Sequence, residues 1–71
     1  MKNIKIKQEY ITISQLLKFE NFVSSGGEVK YYLLENDVLV NGISETRRGR
    51  KLYVNDIINV NDNLIKITND F

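Results

Sequence analysis

The chain has 71 residues, 42% of them hydrophobic and 27% charged, a globular balance that excludes the apolar-poor composition of a disordered chain. It contains neither cysteine nor histidine, which removes disulfides, thiolate metal sites, the commonest general base and the commonest zinc ligand together. Ten basic side chains against nine acidic ones leave a net charge of +1, and no apolar run approaches the roughly 20 residues of a membrane span.

These bounds predict one small soluble, intracellular domain over residues 1–71, without catalysis, metal, cofactor, membrane or small-molecule substrate. A domain this short buries only about 60% of its unfolded surface, so its core is expected to be small. Nine isoleucines, nine asparagines and seven lysines dominate the chain, and that bias is read as compositional rather than structural.

Lys2-Asn3-Ile4-Lys5-Ile6-Lys7 alternates polar and apolar residues, the period of a half-buried strand. Thr12-Ile13-Ser14-Gln15 fits a capping box with Thr12 as N-cap. Ile13, Leu16 and Leu17 recur at helical spacing, with Phe19, Phe22 and Val23 widening the apolar face, and predict a helix over Ile13–Phe22. Ser25 with Glu28 forms a second capping box, and Val29, Tyr32 and Leu33 supply the next buried stripe. Asn36 stands where that helix is expected to end in a left-handed residue.

After Asp37 the pattern changes to strands. Val38-Leu39-Val40 leads into Asn41-Gly42, a strong hairpin signal, and Ile43 begins the return. Thr46 to Arg50 is a polar loop, Leu52-Tyr53-Val54 resumes extended structure, and turns follow at Asn55-Asp56 and Asn61-Asp62-Asn63. The order predicts an α+β domain with two short helices packed on one side of a small antiparallel sheet.

Arg47-Arg48-Gly49-Arg50-Lys51 holds four of the ten basic residues, and no acidic residue occurs from Thr46 through Asn55. Guanidiniums are planar forks suited to phosphate oxygens, and Gly49 lets a bulky polyanion come close. The same run also reads as a solvated loop that only keeps the protein soluble. Ser25-Gly26-Gly27, with Lys30 one turn on, exposes helix-start amides that suit an anion. From those residues alone a tight helix-to-helix turn is the favoured reading. Lys18 is placed near the edge of the first helix's buried face. Tyr31, Tyr32, Tyr53 and Phe71 offer rings for base stacking, with core packing favoured for Tyr32. Glu35 and Asp37 flank a helix end without a partner base, which argues against catalysis.

The order of these motifs resembles the RNA-binding domain named after small-subunit ribosomal protein S-four. In that family two helices precede a strand-turn-strand with a Val-Asn-Gly sequence, here Val40-Asn41-Gly42. The start of the family's second helix resembles Ser24-Ser25-Gly26, and its late Gly-Asp turn resembles Asn55-Asp56. The likeness covers about Thr12 to Val60. Gly26 stands where the wider family often has arginine, and Thr12-Ile13-Ser14 where it has Arg-x-Asp. A closer likeness is to small stand-alone bacterial proteins of the YaaA/YbcJ type, through Leu17-Lys18, Asn21, Ser25-Gly26-Gly27, Lys30 and the Thr46–Lys51 loop.

The resemblance implies cytoplasmic binding of structured RNA, ribosomal RNA or a ribosomal subunit in assembly or translation, without catalysis. In the family's layout the helical turn and the loop share one face. Lys18, Lys30 and the cluster of Arg47, Arg48, Arg50 and Lys51 are then expected around an amide-lined pocket at Ser25, Gly26 and Gly27. Asn21 is expected to add a hydrogen bond to a sugar or base edge. The rival reading is a protein-interaction adaptor on a ribosomal or replication complex, with an exposed apolar face. A ubiquitin-like sulfur carrier is set aside because the chain ends Thr68-Asn69-Asp70-Phe71 rather than in diglycine.

Overall fold

A computed structural model describes residues 1–69; Asp70 and Phe71, including the ring offered above for stacking, lie outside the described residues. Strand β1 (Lys2–Ile6) follows the expected alternation, with Ile4 and Ile6 buried and Lys2, Asn3 and Lys5 exposed. The short strand β2 (Ile11–Thr12) runs straight into helix α1 (Ile13–Phe19). Both halves of the predicted capping box form: the Gln15 amide donates to Thr12 Oγ1 at 3.2 Å, and the Thr12 amide donates to Gln15 Oε1 at 2.9 Å.

The first helix ends at Phe19 rather than at Phe22. Asn21 takes a left-handed φ of 61°, the Phe22 amide reaches back to the Leu17 carbonyl at 2.9 Å, and the Asn21 amide reaches Lys18 at 3.1 Å. That pair of bonds is a Schellman closure with asparagine in the place glycine usually takes. The early stop leaves Phe19 70% exposed, correcting its expected place in the apolar face. Val23 is buried, and Phe22 packs half-buried against Tyr32, ring centroids 6.0 Å apart.

Helix α2 (Gly26–Glu35) buries Val29 and Leu33. Its capping box is shifted from the expected one: Ser25 is the N-cap without a side-chain cap bond. The Glu28 carboxylate reaches back to Ser24, accepting from its amide at 3.2 Å and from its hydroxyl. Asn36 is extended (φ −127°) rather than left-handed. Its Nδ2 donates to the Tyr32 carbonyl at 3.0 Å, its Oδ1 accepts from Asn61 at 3.0 Å, and the chain passes directly into the next strand. No helix is long and apolar enough to cross a membrane among the described residues.

Strands β3 (Val38–Val40) and β4 (Ile43–Ser44) form the predicted hairpin, with Asn41 (φ 53°) and Gly42 (φ 82°) as its turn. Both central residues have positive φ, the geometry of the tight turns that match strand twist. Strand β5 (Lys51–Leu52) pairs with β2 in a separate two-stranded ribbon. Strands β6 (Ile57–Val60) and β7 (Asn63–Asn69) are joined by Asn61 (φ 48°) and Asp62 (φ 71°).

The five-stranded sheet has the order β1-β7-β6-β3-β4. It is mixed rather than wholly antiparallel, because β1 runs parallel to β7 with Ile4 opposite Ile67. Parallel neighbours need a long crossover, and here everything between Ile6 and Asn63 supplies it. The α+β architecture is otherwise as expected. Ile4, Ile6, Val38, Val40, Ile58, Val60, Ile65 and Ile67 of the sheet meet Ile13, Leu16, Leu17, Val29 and Leu33 of the helices in one core that also holds Leu52. Truncating one such fully buried leucine to alanine costs about 2–5 kcal/mol, a large share of what a domain this small has.

The asparagine content proves partly structural. Asn21, Asn41, Asn55 and Asn61 all have positive φ, a region where asparagine is tolerated better than other side chains.

Candidate nucleic-acid interface

The basic loop is fixed at three levels. Its ends continue β4 and β5, and β5 pairs with β2 through Ile11 opposite Leu52 and Thr12 opposite Lys51. Its backbone then closes the start of α1: the Ile13 amide donates to the Arg50 carbonyl and the Ser14 amide to the Arg48 carbonyl, each at 3.0 Å. First-turn amides have no partner inside their own helix, so the loop supplies acceptors that α1 lacks. Within the loop the Arg50 amide donates to the Arg47 carbonyl at 3.2 Å.

Beneath it lies Glu45, buried at 8% relative exposure, at the end of the hairpin, where its own amide donates to Val38 at 2.9 Å. Its carboxylate accepts from the Thr46 and Arg47 amides at 3.1 and 3.0 Å. Arg47 adds a two-pronged contact, Nε to Oε2 at 3.0 Å and Nη2 to Oε1 at 2.9 Å, and Arg50 Nη1 reaches Oε1 at 2.9 Å. The Arg47 fork, with help from Arg50, holds the Glu45 carboxyl well below the usual carboxylate range against the opposing effect of burial, and Glu45 in turn raises the pKa of Arg47.

Two of the loop's guanidiniums are thus oriented rather than free, while remaining accessible: the Arg47 side chain is 73% exposed and that of Arg50 33%. Arg48 and Lys51 have no carboxylate partner among the described residues, and both are exposed. Lys51 Nζ lies 4.8 Å from the centre of the Tyr10 ring, a cation–π distance. Tyr10 meets Tyr53 at 6.0 Å between centroids, tilted by 51°.

Lys18 is exposed and stands one helical turn from Ser14, whose amide holds the loop. Positions four apart share a helix face, so Lys18 lies on the same face of α1 as Ser14. Asn21 is exposed next to it, and its place is already explained by the helix stop.

The entrance of α2 carries the other residues expected to bind an anion. Gly26, Gly27 and Lys30 lie within one turn on an exposed flank. A Cβ added at Gly26 would meet nothing within 4 Å, and one at Gly27 only Ser25 Oγ at 3.9 Å, so neither internal packing nor backbone conformation demands glycine here. The Glu28 carboxylate sits at this entrance and is held below its ordinary pKa first by the Ser24 hydroxyl and amide and then by Ser25, so a negative charge already neighbours these amides. Helices α1 and α2 are in contact, but no hydrogen bond or ion pair joins the α2 entrance to the arginine loop among the described residues.

Two residues of this region escaped the sequence reading. Glu45 lies just outside the acid-free run beginning at Thr46, and its signal was the Glu-x-Arg spacing to Arg47. Tyr10 lies in an irregular stretch, and only the β2–β5 pairing brings it to Lys51.

A paired helix unit, a Val-Asn-Gly hairpin and an arginine loop docked on the first helix define the class: the chain belongs to the S4 domain family, whose model matches residues 4–68. It is similar to a protein of Bacillus subtilis (strain 168) named "Probable ribosome maturation protein RlbA". The two are 47% identical over 57 residues, covering 80% of this chain and 80% of that protein.

Proposed function

We propose that this chain is a non-catalytic, cytoplasmic RNA-binding protein, a single domain over residues 1–71, that acts on structured ribosomal RNA during maturation of a ribosomal subunit. The observation that carries this reading is the arginine loop stapled to α1 and organised from below by Glu45. A free surface loop has no need of a buried carboxylate to aim its guanidiniums. A loop that must meet phosphates at fixed spacing gains from it, because less side-chain freedom is lost on binding. Membership in the S4 domain family and the likeness to a named ribosome maturation protein support the same reading.

Arg47, Arg48, Arg50 and Lys51 form the primary contact, and Lys18 extends it along α1. A-form helices are recognised through phosphates, 2′-hydroxyls and shape rather than through base edges, which suits a set of cations without a recognition helix. Lys30 with Ser25, Gly26 and Gly27 forms a second contact on α2, and Asn21 lies at the margin.

Crosslinking the protein to RNA in cells and sequencing the attached fragments tests this reading. Enrichment at discrete sites of ribosomal RNA is expected. Crosslinks that follow total RNA abundance, or recovery of the same protein partners after nuclease treatment, would instead support the adaptor reading.

A further inference from the structure

Beside the arginine loop lies a pocket of about 490 Å³ lined by Arg47, Gly49, Arg50, Lys51 and Tyr53. Its walls combine guanidinium donors with an aromatic ring, a mixture not needed to contact a phosphate backbone alone. Tyr53 is 43% exposed, although its backbone is pinned: its amide donates to Asp56 Oδ2 at 2.8 Å and its carbonyl accepts from the Asp56 amide at 3.0 Å. Asp56 is itself held by Asn41 Nδ2 at 3.0 Å. Tyr10 backs the ring from 6.0 Å, and Lys51 is drawn over Tyr10. A Cβ at Gly49 would meet nothing within 4 Å, so the rim is open at that point.

We propose that this pocket takes one unpaired nucleobase, stacked on Tyr53, while its flanking phosphates lie on Arg47 and Arg48. The inference rests on the RNA reading above and sharpens it: the RNA recognised carries a bulged or looped-out nucleotide beside a helix. An aromatic face exposed beside fixed guanidiniums is what single-stranded bases use, since every base has a π-face and each nucleotide brings a phosphate. The ring is positioned before the ligand arrives, which lowers the cost of ordering it.

The test uses two RNA hairpins of equal length, one fully paired and one with a single bulged 2-aminopurine, titrated against wild type, Tyr53→Phe, Tyr53→Leu and the double variant Arg47→Ala/Arg48→Ala. Wild type and Tyr53→Phe are expected to bind the bulged hairpin about tenfold more tightly than the paired one, the size of one base stacked on an aromatic ring, and to quench the 2-aminopurine. Tyr53→Leu, checked for folding by thermal melting, is expected to lose both the preference and the quenching while still binding the paired hairpin. Equal affinity of wild type for the two hairpins, with binding still lost in the double-arginine variant, would overturn the base pocket and leave the RNA reading standing. Failure of wild type to bind either hairpin would overturn both.

Discussion

Replacing Glu45 by alanine separates an organised loop from a merely charged one. The substitution removes the acceptor of five hydrogen bonds, two from backbone amides and three from guanidiniums. Breaking a fully buried ion pair costs about 3–5 kcal/mol because a charge is left stranded, whereas an exposed pair is worth only about 0.2–1 kcal/mol. Here the carboxylate is buried but its main partner, Arg47, is 73% exposed and can return to water, so the expected loss is intermediate, about 2 kcal/mol. For a domain of this length that lowers the melting temperature by roughly 8–16 °C and leaves the protein folded at 25 °C, since its total stability should be about 4–11 kcal/mol. The functional consequence runs against simple electrostatics. Glu45→Ala raises the net charge from +1 by one unit, which alone would strengthen attraction to RNA. Freeing two arginines costs about 0.5–1.5 kcal/mol each when they must be ordered again on binding. Affinity for structured RNA should therefore fall, by about threefold once the added charge is offset. Thermal melts and filter binding at matched salt measure both quantities. A variant that melts within 2 °C of wild type, or binds RNA more tightly, refutes the idea that Glu45 organises the loop.

Acid sensitivity should follow from the same residue. Its folded carboxyl titrates below its unfolded value, so its stabilisation is present above the unfolded pKa of about 4.3 and is lost as pH falls through that value toward the folded one; urea midpoints from pH 7 to pH 3 should drop less for Glu45→Gln than for wild type. Gly42 has φ 82°, where an L side chain is strained, so Gly42→Ala should cost about 1–2 kcal/mol in denaturant titrations. Asn21→Gly should keep or slightly raise stability and Asn21→Ala should lower it by about 1 kcal/mol; if RNA affinity drops equally in both, Asn21 contacts RNA as well as closing α1.

Features set by contacts a few residues apart were legible in the chain. Thr12 and Gln15 face each other across one turn, and Asn41-Gly42 has a backbone preference of its own, so both appear where expected. Asn21 and Asn36 show where local reasoning stops. Either could have closed its helix in a left-handed turn; Asn36 instead is extended and bonded to Asn61, which reaches it from the distant turn between β6 and β7. Phe19 has the spacing of a core residue, but α1 stops at it and leaves its ring beside Gln15 and Ile11 at the edge of β1. The parallel β1–β7 pairing joins opposite ends of the chain, and no periodicity within either strand specifies its partner. In the candidate site the cations were found by counting charges, whereas Glu45 and Tyr10 matter through packing and pairing that composition does not display.

Salt dependence of RNA affinity addresses the central claim most directly. Affinity of wild type and of Arg47→Ala/Arg48→Ala for a structured ribosomal RNA fragment should be measured from 50 to 300 mM salt. Wild type should show a steep logarithmic fall, about 0.9 per phosphate neutralised if duplex DNA is a guide, and the double variant should bind more weakly with a slope shallower by roughly two. Identical slopes and affinities for the two proteins would mean that the loop docked on α1 does not touch the RNA.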